Sequence, residues 1–447
     1  MDSEEERSSS SEAASTPTVV ATLAPSQRPL LLNPAYARCK SVMNDELRNF
    51  RVFLQWCALD HSSRAARAAS YAAFLALALL VPAAVSLSLR ADASLSPASA
   101  SAITFNRVAQ LPASGLAVIS FLTLTAFFRG CGGLRQLLFL DGALRDDTFF
   151  VRRSYARELD RAFRLLAALL LPSLCAEAAH KAVFFFCTVR VEPPAPLPLL
   201  PRVPWRAVAL VATVASWVYR TGVFLLVCVL FRLTCELQIL RFEGIYHMFD
   251  VEARAAAAEI FAEHRRIRTQ LLATSHRYRG FIVCCLVTIT VSQLGALLVA
   301  LSSRDAKSFA NSGDLLVGSA VQLSGFFMCL FGAARITHRA QRIVSIASQW
   351  HMSMVSMRHG KSAPASTSAS DNDHVSGPST AAPASLQAEP GAACSYKSRQ
   401  ALVEYLCHNG GGITLFGFTL DRGLLHTIFV FEMTLVLWIL SKVVVLS

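Results

Sequence analysis

Residues 410–447 read GGGITLFGFTLDRGLLHTIFVFEMTLVLWILSKVVVLS. Gly410, Gly411 and Gly412 can take backbone angles closed to other residues, so they end any helix that reaches them. Asp421 and Arg422 form a charged step. Beyond it, residues 424–446 are almost continuously apolar and long enough to cross the hydrocarbon core of a bilayer. A single carboxylate, Glu432, sits about a third of the way in. A charge at that depth is costly, which requires it to face a partner or water instead of lipid.

The rest of the chain is built of similar material. Of 447 residues, 53% are hydrophobic and only 16% charged, against roughly 25% in a soluble protein, so a multi-span membrane protein is expected. Hydropathy places seven spans near residues 68–89, 108–128, 163–189, 207–231, 280–302, 315–336 and 424–446. Pro82, Pro112 and Pro172 fall inside three of them, where neighbouring helices tolerate a kink. The N-terminus, MDSEEERSSSSEAAST, lacks the basic start and apolar run of a secretory signal, which leaves the first span as its own insertion signal.

The net charge of +12 alone is compatible with nucleic-acid binding, but the positions of the charges argue against it. Thirty-two Lys and Arg residues fall before the first span and in the connections after spans two, four and six, against seven in the alternate connections. Basic residues gather on the cytoplasmic side, so the N-terminus is expected in the cytoplasm and the C-terminus outside. The charge serves the membrane, and no nucleic-acid partner is expected.

Between the spans the polar segments divide in two kinds. Residues 1–34 and 358–395 are biased to Ser, Ala and Pro and cannot bury a core, so both are expected to be disordered. Residues 47–57 form an interfacial helix leading to the first span. The segment 252–279 has no Pro or Gly and carries Ile260, Ile267, Leu271 and Tyr278 at helical spacing; Ile343, Ala347, Trp350 and Met354 recur likewise past the sixth span. Leu402, Tyr405 and Leu406 mark a third, short helix at 399–408. Such stripes need a dry partner. The expectation is an all-α protein in four parts: the tail 1–34, the interfacial helix with spans one to six and their extensions (35–357), the linker 358–395, and an anchor helix with the last span (396–447). The extensions should form a cytoplasmic anchor bundle shared between subunits.

No catalytic set is visible: there is no P-loop, G-x-S-x-G, H-E-x-x-H or dinucleotide fingerprint. The 11 histidines and 12 cysteines show no metal-ligand spacing, so neither a metal nor a cofactor is expected, and the chain is not read as an enzyme. Four intramembrane charges stand out. Glu177 and Lys181, four apart on one helical face, are a structural ion pair or a ligand site. Arg220, in the fourth span beside Trp217 and Tyr219, either pairs with Glu177 across helices or faces a vestibule. The fourth is Glu432, which shares a face with Leu425, Phe429, Val436 and Ile439. Phe429, Glu432, Val436 and Ile439 line a pore if that face points at a central axis. If it points into the protomer, Arg220 is the expected partner of Glu432.

The run ITLFGFTLDRGLLHTIF resembles the approach to the last helix of insect gustatory and odorant receptors, and the chain as a whole looks like the plant gustatory-receptor-like proteins, a family defined by a domain of unknown function. Thr419, Asp421 and Arg422 carry the best local match. Of the insect signature, a Thr-Tyr pair followed by Gln-Phe, Thr434 matches the Thr, while Leu435 and Ser441 stand at the Tyr and Gln positions. The resemblance implies a ligand-gated ion channel of the plasma membrane, assembled as a homo- or hetero-tetramer, opened by an unknown small molecule bound in the outer half of the bundle, with the last helix lining the pore. A membrane transporter and a non-conducting membrane scaffold are the alternative functions.

Overall fold

The computed structural model describes residues 54, 57–59, 61, 64–90, 98–129, 149–191, 204–250, 257–302, 309–361 and 390–444. The expected tail 1–34 lies outside them, as do nearly all of the interfacial helix 47–57 and the central part of the linker.

Among the described residues, eight helices and four two-residue strands follow in order. They are α1 (Arg64–Ser88), β1 (Leu89–Arg90), α2 (Ala98–Arg129), α3 (Phe149–Val183), β2 (Arg190–Val191), α4 (Trp205–Asp250), α5 (Ala257–Ser302), α6 (Phe309–Lys361), α7 (Pro390–His408), β3 (Thr414–Leu415), β4 (Phe418–Thr419) and α8 (Arg422–Val444). All but α7 are long and apolar enough to cross a membrane, which makes seven among the described residues. Each contains all or most of one of the spans read from hydropathy; the first, third and seventh expected spans run one to six residues past the helix end. Pro82 follows a π-helical turn, Leu75–Leu80, inside α1. A proline has no N–H to give the preceding turn, and a widened turn accommodates the loss. Pro112 and Pro172 lie inside α2 and α3.

The helices are not equivalent. Every residue from Val223 to Phe231 of α4 is buried, whereas Leu80, Leu87, Leu111 and Leu171 on α1, α2 and α3 are exposed. A helix apolar all round belongs at the centre of a bundle, and α4 takes that place, packed against α3 and α6. The exposed leucines form the outer, lipid-facing surface expected of a membrane bundle. At one end, β1 and β2 pair antiparallel (Leu89 with Val191, Arg90 with Arg190) and tie the ends of α1 and α3 together.

At the other end, α4, α5 and α6 run on well past their apolar spans. Their stripes meet within one chain. Ile260, Ile267, Leu271 and Tyr278 of α5, Ile343, Ala347 and Trp350 of α6, and Leu402 and Leu406 of α7 are all buried in the same core. Phe249 and Trp350 stand edge to face at 5.5 Å, and Phe261 meets Tyr405 at 4.7 Å. Arg335 pairs with Glu236 and Arg339 with Glu243 (3.2 Å) between α6 and α4. The dry partner that the stripes require is thus the protomer itself, and these residues are not free to form a contact between subunits. The helices also extend further than composition suggests: α6 reaches Lys361 and α7 begins at Pro390, both inside the segment 358–395.

The glycine stretch acts as read. Helix α7 stops at His408. A Cβ on Gly411 would stand 2.8 Å from the Ala340 side chain, so only glycine lets this stretch lie against α6. The β3–β4 hairpin follows, turning through Phe416 and Gly417, both at positive φ. Thr419 pairs with Thr414 across it. Asp421 then caps α8: its carboxylate accepts from the Leu424 N–H at 2.7 Å. The Asp-Arg step of the motif is a helix start.

Candidate functional site

Four helices bring charged and amide side chains together in the part of the bundle nearer the β1–β2 end. From α3 come Glu177, His180 and Lys181, which fall on one face by their spacing of three and four. From α2 come Asn106 and Gln110, from α4 Arg220, and from α6 Asp314; all seven are at least nine-tenths buried. Asp314 is the hub. Its carboxylate accepts from the Lys181 ammonium and lies 2.7 Å from His180 Nδ1. Lys181 also donates to Asn106 Oδ1 at 2.8 Å, while Glu177 stands further off at 3.7 Å. Gly313 makes this approach possible: a Cβ there would come within 2.6 Å of the His180 ring.

Arg220 is held differently. Its guanidinium donates to the Gln110 carbonyl at 3.2 Å, to Ser114 Oγ at 2.9 Å and to the Ser216 carbonyl at 3.4 Å. Among the described residues no carboxylate touches it. The cross-helix pair with Glu177 is not formed, and neither is a pair with Glu432.

Glu432 lies elsewhere, fully buried on α8, where it accepts a hydrogen bond from the Thr290 hydroxyl of α5. Its second oxygen has no partner among the described residues. Leu425, Leu435 and Ile439 are buried on the same side of α8, and Phe429 and Val436 are half-buried at its margin. The opposite face, with Thr427, Val430, Thr434, Leu437 and Ser441, is exposed. In-chain burial of Glu432 was one of the two readings of the sequence; its partner Thr290 was not anticipated.

Two small cavities adjoin the cluster, each with room of about 20 Å³, enough for about one water molecule. Glu177, Lys181, Asp314, Gln110, Thr213 and Arg220 line the first. Thr221, Phe224 and Gln322 line the second, and Trp217 and Arg220 border both. The arrangement can hold small polar species in an otherwise apolar bundle. No group of three or more His, Cys, Asp or Glu among the described residues has metal-binding geometry.

Sequence reasoning had singled out Glu177, Lys181 and Arg220 and missed Asp314, His180 and Asn106. Asp314 lies one residue before the expected sixth span, 315–336, and so outside the stretch searched for intramembrane charges. His180 sits beside Lys181, but its partner is 134 positions away in sequence, so no local spacing marks it.

Residues 45–431 match a family described as a protein of unknown function, DUF3537. The chain belongs to that family. No curated protein matches it. Among solved structures it is similar to the insect olfactory receptor OR5 from Machilis hrabei in complex with eugenol, at 11% identity and a TM-score of 0.48, over 85% of this chain and 91% of that one. It is similar likewise to a second structure of the insect olfactory receptor OR5 from Machilis hrabei, at 12% identity and the same TM-score, over 88% of this chain and 98% of that one.

Proposed function

We propose that this chain is a membrane receptor of the chemoreceptor type, which opens an ion-conducting path when a small molecule binds among α2, α3, α4 and α6. The observation that carries the reading is the buried ionic cluster. Charges at membrane depth are costly, and a bundle meant only to be stable has no need of five ionisable groups there. The resemblance of Thr419, Asp421 and Arg422 to the insect receptors, and the orientation read from Lys and Arg, support a plasma-membrane protein with its N-terminus in the cytoplasm and the cluster toward the outside. The helical end of the bundle is then cytoplasmic and serves as the anchor of a homo- or hetero-tetramer, as the resemblance to the insect chemoreceptors implies.

The last helix lines the path in this reading. The face that α8 leaves open carries Thr427, Thr434 and Ser441 at intervals of seven, together with Val430 and Leu437. In a symmetric assembly each becomes a ring, and alternating hydroxyl and apolar rings suit ion passage with a constriction that gates by dewetting. Phe429 and Val436 border that face. Glu432 and Ile439, turned into the protomer, join it only if α8 rotates, which gives Glu432 a part in opening instead of in the resting path.

Single-channel recording on the purified full chain in planar bilayers tests the reading. Unitary currents support it. Saturable flux without them indicates a transporter, and the absence of both indicates a scaffold.

A further inference from the structure

The void beside Arg220 has a chemistry of its own. Three oxygen atoms on residues that line it have no hydrogen-bond partner among the described residues: Glu177 Oε2, Gln110 Oε1 and Thr213 Oγ1. Their side chains are only 3%, 9% and 4% exposed. An unsatisfied buried acceptor carries a desolvation cost that a bound donor would remove. On the same void stands Arg220, 2% exposed, a full positive charge whose hydrogen bonds all go to neutral oxygens. One wall thus lacks a donor, preferably a charged one, and the other lacks an anion.

Charge balance narrows the class of occupant. Glu177 and Asp314 are matched in number by Lys181 and Arg220, so these four charges sum to zero. A lone cation or a lone anion would leave a net charge buried at membrane depth, which is strongly unfavourable. A molecule carrying both signs leaves the sum at zero and meets each wall. We propose that this void is the head-group subsite for a small zwitterion, an amino-acid-like molecule whose ammonium binds Glu177, Gln110 and Thr213 and whose carboxylate binds Arg220. The proposal rests on the receptor reading only in taking the cluster as the ligand site.

The subsite is closed around about one water in this state. The indole of Trp217 borders both voids, so a change in its position joins them and makes room for an α-carbon between the two charged ends. Interface side-chain rearrangement of this kind is common on binding. Lys181 and Asp314, which satisfy each other, stay as they are and fix the far wall.

Binding of radiolabelled glycine and L-alanine to the full chain in lipid nanodiscs tests the assignment, with acetate and methylammonium as competitors that carry one end each. Saturable binding of either amino acid is expected, with each half-molecule competing at least roughly tenfold more weakly. Glu177→Gln keeps the shape and removes the charge that the ammonium meets; it should weaken binding roughly 10- to 100-fold while the protein stays monodisperse. If that variant does not fold, Thr213→Val, which removes only a hydroxyl, should weaken binding several-fold. The assignment is overturned if neither amino acid binds, if acetate or methylammonium competes as well as the whole molecule, or if the folded variants bind like the parent. Binding without unitary currents would sink the channel reading and leave this one standing; currents without binding would do the reverse.

Discussion

Asp314 and Glu432 are both carboxylates buried in the membrane-spanning part of the chain, and the bundle treats them in opposite ways. Asp314 is gripped by the Lys181 ammonium on one oxygen and approached by His180 on the other. Glu432 receives one hydroxyl, from Thr290, and its second oxygen is left without a partner. The first arrangement is a joint between α6 and α3, with Asn106 of α2 also bound to the Lys181 ammonium. The second is a weak latch between α8 and α5. The carboxylate type says nothing about which role it plays; the partners do. A cluster that must be stable is built from opposite charges, whereas a helix that has to move cannot be held by a contact of that strength.

The comparison breaks most easily at Asp314. Asp314→Asn leaves the Lys181 charge buried with only Glu177, at 3.7 Å, to offset it. Removing one partner of a buried pair typically costs about 3–5 kcal/mol. A large loss of folded protein in fluorescence-detected size exclusion is expected, and Lys181→Met in the same background should restore much of it. A well-folded single variant would mean that Asp314 is not the hub.

The close approach that makes the hub is the next point of attack. Gly313→Ala puts a methyl group 2.6 Å from the His180 ring, with no room for it unless the ring or α6 shifts. Overpacking of this kind costs about 1–3 kcal/mol. The melting temperature should drop, and His180→Ala should relieve the drop. An unchanged melt would show that the ring yields freely and that His180 adds little to holding Asp314.

How much of this could be read from the sequence follows the same division. The seven spans, the helix break at Gly410–Gly412 and the step at Asp421 were legible, because length, apolarity and capping are local properties. Which charges meet was not. Glu177 and Lys181 look like a self-contained pair at i, i+4, yet Lys181 reaches Asp314 on another helix more closely. Spacing along one helix cannot show a nearer competitor brought in by packing. The apolar stripes through Ile260, Ile343 and Trp350 were legible as faces that need covering. That the cover is the chain's own α4, α5, α6 and α7, instead of another subunit, depends on how far those helices run beyond the membrane, which only the three-dimensional structure supplies.

On the weaker side of the comparison, Thr290→Val removes the only hydrogen bond that Glu432 accepts among the described residues. A buried acceptor left unsatisfied costs about 1–3 kcal/mol, the lower end being expected here because one oxygen is already without a partner. The melting temperature should fall by less than for Gly313→Ala or Asp314→Asn. An effect as large as that of Asp314→Asn would mean the latch is a joint after all.

Glu432→Gln should have the smallest effect on stability and is the most informative about motion. Glutamine keeps the length and an oxygen for the Thr290 hydroxyl, so the bond survives while the charge goes. The expected change in folding stability is under about 1 kcal/mol in either direction, within the range of an ordinary neutral hydrogen bond. Arg220 makes its bonds to the Gln110 carbonyl, Ser114 and the Ser216 carbonyl, so Arg220→Gln should not rescue anything in this background. What should change is the behaviour of α8. If the helix turns Glu432 toward the path when the channel opens, the variant should alter open-state conductance or cation selectivity while leaving the amount of assembled protein unchanged. If α8 keeps its buried face throughout, conductance and selectivity should match the parent. A parent-like recording from a well-folded variant would confine Glu432 to the contact with Thr290 and leave the exposed stripe of Thr427, Thr434 and Ser441 as the lining proposed for α8.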